Sequence, residues 1–299
     1  AHRTGTTTLQ DYLRRHSDVL AQRDMGYWGP RRTRKEGLGA VLSGNRGAVL
    51  PNSAGPSIRS QLASSAARGV KTLLISDENM IGSVRSNLRS QSLYPMIGPR
   101  MARFVAAFDH PIARVLISPR SLEYFWASSI AFGVSRGHPV PDAMARRKIA
   151  QSHRGWRDVI TELARALPNT EIRVLPFETV LGRPETFLRL GVEFDAPLDS
   201  DRQWLNRAPN LPELRRSLCA RASDAQVLPF GMGRWNPFTT EETAALRELY
   251  ADDMMWPTAG ADGLTTLTED RAEDRAGTTL PLCASTQGQN DERQKGSMA

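Results

Sequence analysis

The sequence is poor in cysteine, in lysine and in long apolar runs, and each shortage excludes something. Two cysteines, Cys219 and Cys283, in 299 residues are too few for a disulfide framework, and neither stands at metal-ligand spacing from a histidine. A reducing, cytoplasmic setting is the default expectation. No stretch is apolar for long enough to cross a bilayer, and the reading expects no secretion signal. No segment repeats, which excludes solenoids and propellers. Lysine occurs only at Lys35, Lys71, Lys148 and Lys295, so the net charge of +7 rests almost wholly on arginine. Arginine forks onto phosphate and sulfate better than lysine does. The positive charge is scattered, with no basic block interleaved with aromatics, which points away from a nucleic-acid partner.

What is present suffices for a full core: 40% of the residues are hydrophobic, enough for one large domain with an appendage. The first thirteen residues are the most informative. Arg3-Thr4-Gly5-Thr6-Thr7-Thr8 is a tight turn rich in hydroxyls, and it enters an amphipathic helix (about Thr6 to His16) with Leu9 and Leu13 on one face. Unpaired N–H groups at such a start lie at the positive end of the helix dipole and attract phosphate or sulfate. An ordinary N-capped helix is the other reading of the same residues. The two-glycine pattern followed by Lys-Ser/Thr of nucleoside triphosphatases is absent.

Further along, Val70 to Ile75 is an apolar run that predicts a buried strand, after a helix from Ser57 to Arg68. It ends in Ser76-Asp77-Glu78-Asn79, at the strand end where open α/β sheets bind ligands. A carboxylate there can take a proton from an acceptor hydroxyl. Equally, Asp77 can cap the next helix while Glu78 faces solvent. A helix over Pro99 to Phe108 leads to a strand at Arg114 to Ile117, then to Ser118-Pro119-Arg120 and a helix carrying Leu122, Phe125, Trp126, Ser128 and Ile130. One long helical region is expected over Ala143 to Leu167, then a strand from Glu171, the Phe177-Glu178-Thr179 segment, and a short helix from Pro184 to Leu190. Leu198 to Pro212 is polar and aromatic, with Trp204, Asn206 and Arg207. Gly233, Arg234 and Trp235 follow in a loop offering close backbone approach, charge and a stacking face. The last expected helix spans Thr240 to Met254, opened by a near capping box. His16, His138 and His153 have no metal spacing and are read as structural.

The opening string resembles the phosphosulfate-binding loop of the sulfotransferase superfamily, and bacterial members with His-Arg-Thr-Gly-Thr-Thr-Thr-Leu-Gln are closer still. The Ser-Asp-Glu-Asn segment, the Arg120/Ser128 pair and Gly-x-Trp, the second half of the late Arg-Lys-Gly…Gly-x-Trp motif whose first half is absent before Gly231, fall in the family's order, over most of residues 1–257. Pro119 stands before Arg120, where members often carry an apolar residue and place Pro after the Arg. The resemblance implies a three-layer α/β/α fold with a mostly parallel sheet, of the P-loop type. It implies sulfuryl transfer from 3′-phosphoadenosine 5′-phosphosulfate (PAPS) to a hydroxyl or amine of a glycan, lipid or small metabolite, with no metal. Arg3 and Thr4, Gly5, Thr6, Thr7 and Thr8 would hold the 5′-phosphosulfate. Arg120 and Ser128 would hold the 3′-phosphate, with Gly233, Arg234 and Trp235 closing over it. Glu78 would be the base, with Asp77 second, and Phe177 would pack near the adenine.

A phosphate loop normally follows a buried strand, and this sequence opens already inside the loop, so the reading expects a leading strand that the sequence does not contain. The glycine-rich stretch from Arg23 to Ser57, with short helical pieces around Gly37 to Leu42, is expected to shape the acceptor pocket. Residues 259–299 are read as a loosely attached tail after a domain of residues 1–258. Two rivals remain at this stage: an ATP-using, kinase-like enzyme, and a noncatalytic nucleotide- or nucleic-acid-binding module.

Overall fold

The structure, a computed structural model, describes residues 1–35, 38, 39, 41, 54–108, 111–198, 205–221 and 224–268. The chain divides into two compact units, Ala1–Glu269 and Asp270–Ala299. The second lies outside the described residues, as do Gly37, Leu42, Trp204, Cys283 and part of the glycine-rich stretch.

Among the described residues five strands carry the fold: β1 (Met25–Trp28), β2 (Thr72–Ile75), β3 (Arg114–Ile117), β4 (Glu171–Val174) and β5 (Thr266–Leu267). Every pairing is parallel, in two sheets: β1 beside β2, and β3-β4-β5. The chain is therefore α/β, with two small parallel sheets where one was expected. In β2, Leu73 and Ile75 pack on the main core while Leu74 packs on a second cluster around Tyr12, Leu13, Leu20 and Leu188. That alternation follows from the two-residue period of a strand. Helices therefore cover both faces of β2.

The second sheet shares both covers. Val115, Ile117, Ile172 and Val174 join the main core. On the other face Leu116 closes against Gly191, and Arg173 donates to the carbonyl of Leu190 (3.0 Å), both on the Pro184–Val192 helix. Leu188 of that helix also packs in the cluster under β2.

The main core is built largely by three helices. Ile97–Phe108 buries Ile97, Met101, Phe104 and Phe108. Leu122–Ser135 buries Leu122, Phe125, Trp126 and Ile130. Trp156–Ala166 buries Trp156, Val159, Ile160 and Leu163, an i, i+3, i+4, i+7 stripe.

Several expectations need correction. The helical region over Ala143 to Leu167 is two helices, Ala143–Ala150 and Trp156–Ala166. Between them Arg154 reaches the carbonyls of Leu93 (2.6 Å) and Tyr94 (2.9 Å) and the carboxylate of Glu162, which draws the chain out of helical geometry. β1 sits inside the stretch read as glycine-rich loop, because Met25, Tyr27 and Trp28 have core to pack on. The Leu211–Cys219 helix is also additional; it is opened by a capping box between Asn210 and Glu213. The last long helix runs on to Thr258. Thr266–Leu267, in the stretch read as tail, pairs with β4. Among the described residues no helix is long and apolar enough to cross a membrane.

Candidate functional site

The turn before the Thr6–Arg15 helix lies across the carboxyl ends of the strands. Two of its residues have left-handed backbone, Arg3 (φ 61°) and Gly5 (φ 73°). Glycine takes this conformation freely, while for Arg3 it costs about 1 kcal/mol. Contacts from two sides hold Arg3 in place. Its Nε donates to Ser128 Oγ (2.9 Å), and Arg120 Nη1 donates to its carbonyl oxygen (2.7 Å). Arg120 is held in turn, since Trp156 Nε1 donates to the Arg120 carbonyl (2.8 Å) and the guanidinium lies 4.8 Å over the Phe177 ring.

The helix start itself is open. Gly5 is its N-cap and no side chain caps it; the intrahelical ladder begins with Leu9 N donating to Gly5 O (3.1 Å). The N–H groups of Thr6 and Thr7 are thus left for another acceptor. The four threonines divide. Thr4 and Thr8 are buried, with Thr4 Oγ1 donating to the Ala1 carbonyl (2.7 Å) and Thr8 Oγ1 accepting from Leu205 N (3.3 Å). Thr7 Oγ1 is met by the Asn206 amide at 3.5 Å. Thr6 Oγ1 has no hydrogen-bond partner among the described residues.

Charge in this region is one-sided. Arg3 and Arg136 both lie over the Phe132 ring, at 4.9 and 4.4 Å. Burial, with the Arg120 and Arg136 guanidiniums, lowers Arg3 to a pKa of about 10, so it stays charged at neutral pH. Burial also lowers Arg120; Glu178 opposes this, and Arg234 adds to it. Among the described residues no carboxylate lies at ion-pairing distance from Arg3, Arg120, Arg136 or Arg234. Of the two acids that act on Arg120, Glu178 is engaged by Ser121 N and the Tyr250 hydroxyl, and Glu123 is paired with Arg247. Clustered guanidiniums without a counter-charge make an anion site.

The carboxylate segment follows β2. Asp77 is buried with both oxygens occupied: Oδ2 accepts from Thr33 Oγ1 (2.6 Å) and Arg34 Nε (3.0 Å), Oδ1 from Arg34 Nη2 (3.0 Å) and Asn79 N (2.9 Å). Glu78 is more open. Gln10 Nε2 donates to its Oε2 (2.9 Å) and Arg34 Nη2 to its Oε1 (3.0 Å). Burial raises the Glu78 pKa, but the Gln10 amide, a backbone N–H and the neighbouring His2 outweigh it and hold the carboxyl below its usual value. His2 lies buried against Tyr94 Oη (3.0 Å) and 3.2 Å from the Asn79 amide; burial lowers its pKa to about 4, so its ring is neutral.

The structure thus gathers Arg3, Gly5, Thr6, Thr7, Arg120 and Ser128 around one turn, and Gln10 links that helix to Glu78. The late loop meets them only in part. Arg234 is exposed and close enough to repel Arg120, and Gly233 is open with its carbonyl accepting from Leu211 N (3.0 Å). Trp235 has no open stacking face: it is buried in the main core. Phe177 is buried too, beneath Gly5. Sequence reasoning missed Arg136, Gln10 and Arg34. A signal for the first existed, since Arg136 follows Ser128 by about two helical turns and so shares its face.

No protein-family model, no curated protein and no solved structure matches this chain.

Proposed function

We propose that this chain transfers a sulfuryl group from PAPS to a hydroxyl or amine of an acceptor, on a P-loop-type sulfotransferase fold. The observation that carries the reading is the group of Arg3, Arg120 and Arg136, with no described carboxylate at ion-pairing distance, beside an uncapped helix start. A doubly phosphorylated, sulfated nucleotide is an anion with that spread of charge. The amides of Thr6 and Thr7 and the Arg3 guanidinium receive the 5′-phosphosulfate; Arg120 and Ser128 receive the 3′-phosphate, with Arg234 at the rim.

In the transfer step the acceptor oxygen or nitrogen attacks sulfur. The bond between sulfur and the bridging oxygen of the 5′-phosphate breaks, and its electron pair leaves with 3′-phosphoadenosine 5′-phosphate (PAP). The acceptor proton passes to Glu78, which is ionised at neutral pH and so able to accept it. Charge growing on the leaving oxygen is met by Arg3 and the helix-start amides. Asp77, with both oxygens engaged, positions Arg34 and Asn79. The exposed, free Cys219 thiol fits a reducing compartment such as the cytoplasm.

Titration with PAP, ATP and duplex DNA tests the reading. PAP binding tighter than both supports it. ATP binding as well or better favours a kinase-like enzyme, and preferred DNA binding favours a nucleic-acid module.

A further inference from the structure

Between β2 and β3 lies a cavity of about 1070 Å³. Its walls are unusual for a ligand pocket. Two are the strands themselves, residues 72–75 and 113–118. Among the described residues β2 pairs only with β1, and β3 only with β4, so each turns an edge unpaired by any described residue to this space. Its remaining lining is mostly apolar and comes from both helical layers: Met101, Phe104 and Leu163 on one side, Leu9, Leu13 and Leu188 on the other, with charged residues such as Lys71 before β2 and Asp77 after it. The same two layers cover both sheets, so the cavity lies in the plane of the strands, not above it.

We propose that this slot seats one further β-strand, an extended apolar segment leading directly into Ala1, which joins the two sheets into one. Four observations fix its character. Unpaired N–H and C=O groups on both flanks ask for a backbone between them, which a small apolar ligand does not supply. Apolar walls on both faces ask for a continuous apolar run instead of an alternating one. Direction follows from the turn: His2 lies against Asn79, just past β2, and the Arg3 carbonyl is held by Arg120, just past β3. Ala1 lines the slot and is thus at the carboxyl ends of both strands, so a segment entering Ala1 runs parallel to them. Length follows from the flanks. The lining runs along residues 70–76 beside β2 and 111–118 beside β3, a span that takes roughly six extended residues.

This inference rests on the strand edges and stands apart from the nucleotide reading. The test compares the 299-residue chain with two versions carrying six added residues ahead of Ala1, one a Val/Ile/Leu run and the other Gly/Ser. Thermal unfolding, binding of an apolar dye, and amide exchange over Thr72–Ile75 and Arg114–Ile117 are read for all three. The apolar extension should raise the midpoint by roughly 10 °C, the shift that several kcal/mol gives in a domain of this size. It should also abolish dye binding and slow exchange in both strands together, while the Gly/Ser extension does none of these. Equal behaviour of the two extensions overturns the proposal. So does concentration-dependent dimerisation of the unextended chain that protects the same two strands, which would assign the slot to a second copy. No readout involves nucleotide, so failure here leaves the PAP titration to be judged separately.

Discussion

Arg120 Nη1 donates to the carbonyl oxygen of Arg3 at 2.7 Å, so a residue just past β3 holds the turn that opens the first helix. The bond joins positions 117 residues apart and leaves the rest of the Arg120 fork facing the charge cluster. Replacing Arg120 by Ala removes both a charged donor and a brace for the left-handed Arg3. A charge-assisted hydrogen bond is worth about 1.5–3 kcal/mol. Calorimetry should therefore show PAP affinity falling by roughly ten- to a hundredfold. Unchanged affinity would remove Arg120 from the site.

Trp156 extends that brace into the core. Its ring is fully buried, and its Nε1–H holds the Arg120 carbonyl at 2.8 Å. In Trp156→Phe the ring volume shrinks and the buried carbonyl loses its donor, which together should cost about 2–4 kcal/mol of stability. Urea denaturation measures that loss. PAP affinity of the folded fraction should also fall several-fold, through Arg120. Lost stability with full PAP affinity would show that Trp156 serves packing alone.

Glu78 and Asp77 are adjacent and should respond differently. With Glu78→Gln, PAP binding should survive while turnover with a competent acceptor drops by roughly 10²–10⁴-fold, the usual contribution of a general base. With Asp77→Asn, the donors from Arg34, Thr33 and Asn79 meet a weaker acceptor, and the main loss should be in thermal stability. Full turnover in Glu78→Gln would exclude it as the base.

Asp253 gives a pH signature independent of any ligand. Burial raises its carboxyl to about 6, although the Trp156 and Arg157 N–H groups favour the charged form; Asp158 and Asp252 add to the rise. The folded chain keeps this proton where the unfolded chain, near 3.8, has lost it. Its contribution to stability is therefore complete below about pH 4 and is lost as the pH rises through about 6. Asp253→Asn should flatten that part of the pH–stability curve by of the order of 1 kcal/mol, allowing for solvent screening. Denaturation curves from pH 4 to 7 for the two proteins should diverge in slope; parallel curves would contradict the assignment.

Sequence reading succeeded where local chemistry decided the outcome. The apolar runs at Val70 to Ile75 and Arg114 to Ile117 became strands because each had core on both faces. The Asn210-Leu211-Pro212-Glu213 signature of a helix start was legible but went unread inside a polar stretch. β1 and β5 were not legible: Gly26 between Met25 and Tyr27, and two residues at Thr266–Leu267, become strands only through a neighbour distant in sequence. In the site, the family resemblance led to the expectation that the Thr-Gly-Thr-Thr turn and Arg120 lie together, and the Arg120–Arg3 hydrogen bond joins those two stretches. That Trp235 is buried in the core, and that Arg136 shares a ring with Arg3, depends on tertiary packing.

The central claim is that a 3′-phosphate is gripped by Arg120 beside the turn that takes the 5′ group. The ratio of PAP to AMP affinity, measured by calorimetry in the parent and in Arg120→Ala, isolates that phosphate. The account predicts that the parent prefers PAP by at least tenfold and that the substitution brings the ratio close to one. An equal ratio in the two proteins, whatever their absolute affinities, would contradict it.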